Sequence, residues 1–313
     1  MRRVLAWLLL VVLLLGMALL SLSIGPTGLP FKDGSLLVNI RLPPVILGIV
    51  AGGLLAVVGA ALQGLLGNVL VDPYTLGVAN GAALGTTLGI VLGLASGILV
   101  PVLAIIGAVV TLLAVYLLAR IGGRVTKTGL VLAGVIVGLF LSGMVMLIMV
   151  LSHKSLEQII YLLMGRIELV LTPGKLWLLL GCGVLALAGL VWLYSYAREL
   201  NILATNEEVA ESLGVNTQRT TTIVFFIGSL LVGMTVAFVG AISFVGLVVP
   251  HIARMLFGPD HTRTMPASFL LGGSLLLGAD ILARLTMPVL PLSVVTAFLG
   301  VPFFIYLYRT KLT

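Results

Sequence analysis

The sequence predicts an all-α, polytopic membrane protein with about ten transmembrane helices. Three observations carry that prediction. The 313 residues are 60% hydrophobic and only 9% charged, roughly a third of the charge of an ordinary soluble domain. Mean hydropathy is +1.29. Apolar runs of about 20 residues, enough for a helix to cross a bilayer, recur along the whole chain. A transmembrane β-barrel would show short alternating segments instead.

The chain opens with Met1-Arg2-Arg3 and an apolar run from Val4 to Ile24. The run is longer than the core of a secretory signal, and no small-x-small cleavage site precedes Gly25, so it reads as a retained first span, 4–24. Further spans are expected at 43–66, 76–98, 101–120, 129–151, 174–196, 219–239, 242–257, 267–286 and 293–309. Gly25-Pro26, Asp72-Pro73, Thr172-Pro173 and Gly258-Pro259 punctuate the connections. The boundaries are least marked at Ser96–Pro101 and at Gly240.

Ten spans bring both termini to one face. With Arg2 and Arg3 inside, Arg120, Arg124, Lys127, Arg198, Arg219, Arg254, Arg263, Arg309 and Lys311 join them there. Only Lys32, Arg41, Lys154, Arg166, Lys175 and Arg284 fall outside. Eleven of the seventeen basic residues on one face argue for cytoplasmic termini. The formal charge of +7 is spread singly between spans, so it serves orientation and implies no nucleic-acid partner.

Small residues at helical spacing (Gly48, Gly52, Gly59 and Gly64; Gly77, Gly81, Gly85 and Gly89) predict close helix packing against lipid, within the chain or with a second copy. VVGAA (57–61) and FVGAI (238–242) lie five spans apart and therefore run in opposite directions. An inverted repeat of spans 2–5 and 7–10 is one reading of the match.

Catalytic chemistry is sparse. The sequence holds no His-Glu-x-x-His, no Gly-x-Ser-x-Gly and no P-loop; GGRVTKTG (122–129) has the wrong spacing for a phosphate cradle. Cys182 is the single cysteine, so neither a disulfide nor a cysteine metal site is expected. Within the spans only Gln63, His251 and Asp280 are notably polar. His251, beside Pro250, reads as a helix-end hydrogen-bond donor; no metal site is expected. His153, Lys154, Glu157 and Glu168 read as an ordinary solvated outer loop. An ion-coupled carrier needs ionisable residues in its core, so that alternative lacks support, and an intramembrane enzyme lacks a catalytic constellation. Uphill transport would draw its energy from a partner.

Asp280 and Arg284 stand one helical turn apart. Arg284 and Arg41, the latter in RLPP (41–44), are outward arginines at two span ends. They suit bidentate pairing with the carboxylates of an acidic extracytoplasmic partner.

The stretch ATNEEVAESLGVN (204–216) gathers scarce acid: Glu207, Glu208 and Glu211, with Glu199 just before, out of ten acidic residues in all. Thr205 and Glu208 fit a capping box, Glu207 and Glu208 suit the positive end of a helix, and Gly214 fits the left-handed stop. Val209 and Leu213 form a narrow apolar stripe, with Ala210 beside it. A helix of two turns is too short to stand alone; it rests on its own bundle or fits a partner's pocket.

Several stretches together resemble the FecCD-type permeases, the membrane subunits of type II ATP-binding-cassette importers for ferric siderophores, haem and cobalamin. They are RLPP, GNVLVDPYTLGVANGAALG (67–85), LNILATNEEVAESLGVN (200–216), GAISFVGLVVPHIARMLFGPDH (240–261), GADILARL (278–285) and LPLSVVTAFLGVPFFIYL (290–307). They cover the chain in order. The resemblance implies one permease domain over 1–313 in the cytoplasmic membrane of a bacterium or archaeon, working as a homodimer. It implies no cofactor in this chain, since ATP and Mg bind to two separate cytoplasmic ATPase subunits. It further implies an extracytoplasmic binding protein that docks on Arg41 and Arg284. Asn206, Glu207, Glu208, Val209, Ala210, Leu213 and Gly214 become the helix that couples to the ATPase. Two positions depart from the family pattern: Asn206 replaces a glycine, and Pro44 replaces a second docking arginine. The cargo could equally be an oxyanion, which some relatives carry.

Overall fold

The computed structural model describes residues 2–24, 37–94, 98–152, 156–167, 173–286 and 289–312. Helices dominate. The long elements are α1 (Arg2–Ser23), α2 (Leu42–Leu66), α3 (Val78–Val91), α4 (Leu99–Ala119), α5 (Lys127–Leu151), α7 (Pro173–Ser195), α10 (Thr217–Val239), α11 (Val245–Phe257), α12 (His261–Arg284) and α13 (Leu292–Leu312). Three shorter helices intervene: α6 (Leu156–Leu163), α8 (Ala197–Leu203) and α9 (Glu207–Ser212). Among the described residues, seven helices are long and apolar enough to cross a membrane, while Val78–Val91, Val245–Phe257 and Leu292–Ile305 are apolar but shorter.

α2 is the axis of the bundle. Over its apolar window 83% of the residues are buried, against 11% for the peripheral α1. Its glycines explain how. A Cβ on Gly52 would fall 2.3 Å from the Gly272 carbonyl oxygen, and one on Gly59 would fall 1.9 Å from that of Gly246. Helix backbones thus touch directly, and dispersion over that contact holds the pair in lipid. Gly81 and Gly107 do the same for α3 against α4. Contacts of Gly48 with Leu277, Gly52 with Gly272, and Gly64 with His261 show that α2 and α12 run antiparallel.

Two predicted spans are shorter than expected. α3 starts at Val78 because Asp72 caps a 3-10 turn, Pro73–Leu76, and Gly77 (φ 75°) redirects the chain. α11 starts at Val245, not 242. Gly240 leaves α10 with φ 73°, and Phe244 takes the left-handed conformation (φ 68°), unusual for a residue with a side chain. Its ring fills the space where Gly300 of α13 has no Cβ.

The expected solvated loop after the fifth span contains α6; His153, Lys154 and Glu168 lie outside the described residues, as does Lys32. The first half of GGRVTKTG closes a hairpin, with Gly122 and Gly123 turning between β1 (Arg120–Ile121) and β2 (Arg124–Val125), and the second half caps and enters α5. Between α2, α7 and α10 runs a groove of about 420 Å³ whose walls, including Leu47, Leu54, Leu179, Cys182 and Phe238, are almost wholly apolar.

Two helical prolines leave a carbonyl without its usual donor, and a side chain fills each place. Pro266 frees the Thr262 carbonyl, which accepts from the Tyr194 hydroxyl at 3.2 Å. Pro250 frees the Gly246 carbonyl, which accepts from Gln63 Nε2 at 3.3 Å.

Candidate functional site

Three groups of residues stand out, one at each end of the α2/α12 pair and one that leads inward from the end near α9. At the end where α2 finishes and α12 begins lies α9. Its cap differs from the expectation. Asn206, not Thr205, is the N-cap: its Oδ1 accepts from Glu208 N at 3.0 Å, and its extended backbone (φ −162°) is ordinary for any residue. Thr205 turns back and donates to the Ile202 carbonyl at 2.7 Å. An Asn side chain reaches the second helical amide, so the reciprocal Thr-to-Glu box is not needed. Gly214 (φ 85°) ends the turn as expected.

Around that frame, α9 is anchored on one side and open on the other. Ala210 is fully buried, Thr217 donates to Glu211 at 2.8 Å, and Lys127 of α5 pairs with Glu207 at 3.7 Å. Val209 and Leu213 are 45% and 65% exposed. The apolar stripe therefore faces away from the chain's own bundle.

At the opposite end, α2 begins and α12 finishes. Arg41 is buried and donates through one guanidinium nitrogen to the carbonyls of Leu22 and Ser23, at 2.7 and 3.3 Å, capping the end of α1. Arg284 forms an ion pair with the buried Asp280 one turn earlier. Both predicted arginines thus lie at one end of the antiparallel pair, engaged in contacts within the chain. Pro44 is in the first turn of α2, where its missing N–H costs nothing.

Leading inward from the end near α9, residues not singled out as a set come together. Gln63 is buried; its Nε2 donates to the Val71 carbonyl at 3.1 Å as well as to Gly246, and its Oε1 accepts from the Arg254 guanidinium. The Tyr74 hydroxyl accepts from Ile242 N at 2.8 Å. The non-helical segment before α3 is thereby tied to the one before α11. Nearer α9, Asn201 donates to Asp260 Oδ1 at 2.7 Å and accepts from His261 N at 2.8 Å. The Thr262 hydroxyl and the Asn201 amide hold the Asp260 carboxyl below its ordinary pKa. Pro250 was the signal in the sequence: a proline inside a helix announces an unpaired carbonyl. His251 lies inside α11, not at its end, edge-on to Phe303 with ring centroids 6.2 Å apart. Among the described residues no group of His, Cys, Asp and Glu could hold a metal ion.

The FecCD transport family matches residues 5–310. The chain is 37% identical over 285 residues to the cobalamin import system permease protein BtuC of Halobacterium salinarum, covering 91% of this chain and 76% of that one. It is 33% identical to the Fe(3+)-citrate import system permease protein YfmD of Bacillus subtilis, covering 89% and 82%. Among solved structures, an inward-facing conformation of a putative metal-chelate type ABC transporter superposes with a TM-score of 0.86 at 32% identity, covering 96% of this chain and 97% of that one.

Proposed function

The chain belongs to the FecCD transport family, and from that membership we infer that it is the permease subunit of an ATP-binding-cassette importer for a metal chelate: a ferric siderophore, haem or cobalamin. It crosses the cytoplasmic membrane about ten times, with both termini in the cytoplasm, and pairs with a second copy. The exposed apolar faces of α5 and α13, with Phe140 and Phe298 at 68% and 77%, support such a pairing. Two ATPase subunits supply the energy, and an extracytoplasmic binding protein delivers the chelate.

The observation that carries this reading is the open stripe on α9. A water-exposed helix six residues long gains nothing from presenting Val209 and Leu213 to solvent. It gains a partner if those side chains enter a groove on the ATPase, with Glu207, Glu208 and Gly214 shaping and ending the helix. Arg41 and Arg284 serve as the docking pair, each exchanging its present partner for a carboxylate of the binding protein. The 2–5 and 7–10 halves form an inverted repeat. The meeting of two broken segments, 67–77 and 240–244, supports that symmetry, as discontinuous helices mark the working region of many repeat transporters.

Leu213→Asp tests the coupling role. The permease should still assemble and melt as before, while co-purification with its ATPase falls by about tenfold, as for loss of an interface anchor. Undiminished co-purification would sink the assignment.

A further inference from the structure

We propose that Asn201 and Gln63 are positioning residues in one polar relay, which ties movement of α9 to the broken segment ahead of α3 and to the first turn of α11. The proposal rests on the permease reading above and extends it from the surface helix into the bundle.

The relay can be followed bond by bond. α8 runs into α9 through Ala204 and Thr205, whose amides bond back to the carbonyls of Leu200 and Ile202 at 3.0 and 3.1 Å. A displacement of α9 is therefore felt by α8. Asn201 on α8 grips the corner between α11 and α12: its Nδ2 holds Asp260 Oδ1, and its Oδ1 meets both His261 N and His261 Nδ1 at 2.8 Å. Two further bonds stiffen that corner. Gly258 N donates to the Arg254 carbonyl at 2.9 Å, and the Thr264 hydroxyl donates to the Gly258 carbonyl at 3.0 Å.

From the corner, two arms reach α2 at adjacent residues. The His261 ring occupies the place of a side chain at Gly64; a Cβ there would fall 2.2 Å from Nε2. The Arg254 guanidinium donates to Gln63 Oε1. Gln63 then divides. Its Nε2 donates to the Val71 carbonyl, in the segment before α3, and to the Gly246 carbonyl, left open by Pro250 in α11. One amide side chain thus joins the segment before α3 to the first turn of α11 and answers to the guanidinium behind it.

The chemistry makes this a coupling and not merely a set of contacts. Gln63 is buried, and a buried amide that loses its partners finds no water to replace them. The segments it joins therefore move together or not at all. Glutamine also suits the place: its oxygen faces the cation and its nitrogen faces three carbonyls, those of Val71, Gly246 and, at 3.4 Å, Leu247. Glutamate would keep the first bond and abolish the others.

That asymmetry gives the test. The permease is reconstituted in liposomes with its ATPase and binding protein, and ATP hydrolysis is measured with and without the binding protein. Gln63→Glu, Gln63→Leu and Asn201→Ala should keep basal hydrolysis within about twofold while binding-protein stimulation drops by about tenfold, and the Gln63→Leu/Asn201→Ala pair should be no worse than either alone, as for two members of one path. If Gln63 serves only to neutralise Arg254, Gln63→Glu keeps full stimulation, and the relay through the carbonyls is wrong. Full stimulation in Asn201→Ala, or losses that multiply in the double variant, overturns it as well. Asn201→Ala, at a half-buried polar position whose helix is anchored in the core by Ala197, Leu200 and Leu203, carries the test should the Gln63 variants fail to assemble. A parent protein that binds no ATPase at all would refute the permease reading itself.

Discussion

At the scale of single residues, the unusual positions are those where one side chain fills what another residue lacks. Phe244 is the sharpest case. A left-handed backbone at a bulky residue costs of the order of 1–3 kcal/mol, and Gly300 is the space that admits its ring. Gly300→Ala should therefore lower the melting temperature of the detergent-solubilised protein, since the new Cβ would meet Phe244 at 2.6 Å. Adding Phe244→Gly should recover most of the loss, since it removes the Phe244 Cβ, 2.7 Å from the new methyl, together with the ring. No recovery would mean that Gly300 serves some other contact. Neither partner of this pair was legible beforehand, because they are separated by 56 positions and only the folded chain brings them together. Gln63 was legible in part: a polar residue inside an apolar span asks for partners, but which carbonyls it finds depends on the placement of Pro250.

For whole elements, the sequence pattern was most reliable where apolar runs were long. α1, α2, α5 and α7 begin and end within two residues of their expected limits. It failed at α3 and at the start of α11, where apolar composition runs beyond the helix, and at α12, which begins at His261, six residues before its expected start. Hydropathy reports burial in lipid or protein and does not distinguish a helix from extended chain buried in the same surroundings. The short helix α9 shows a subtler miss. Its position and its stop at Gly214 were readable, but the expected cap, Thr205, gives way to Asn206, whose side chain reaches the Glu208 amide. Asn206→Ala should fray α9 by removing a cap worth about 1 kcal/mol. Amide exchange over 207–212 in the solubilised protein should rise several-fold while α10 stays protected. Unchanged exchange would show that the Lys127–Glu207 pair and Ala210 hold the helix alone.

Across the whole molecule, the antiparallel run of α2 and α12 separates the two arginines from α9. α2 alone, 25 residues long, spans about 37 Å at 1.5 Å per residue. The proposed docking and coupling sites thus lie at opposite ends of one antiparallel pair, joined through backbone contact at Gly52 and Gly272. Both arginines begin engaged, Arg41 on the end of α1 and Arg284 on Asp280. Arg41→Glu with Arg284→Glu should abolish capture of the binding protein by the permease in a pull-down, and each change alone should weaken it. Capture at parental strength in the double variant would move docking elsewhere. The distribution of basic residues gives the expectation of which residues face out and which face in. The contacts those arginines make within the chain could not be inferred, since they depend on where three helix ends meet.

The groove between α2, α7 and α10 has a practical consequence. The chain's one thiol, Cys182, lines it. Cys182 is buried there, so a small apolar, environment-sensitive fluorophore attaches as the groove opens, and no other cysteine of this chain competes. Its emission would report whether α7 draws toward or away from α2 as nucleotide binds, in the otherwise unaltered protein.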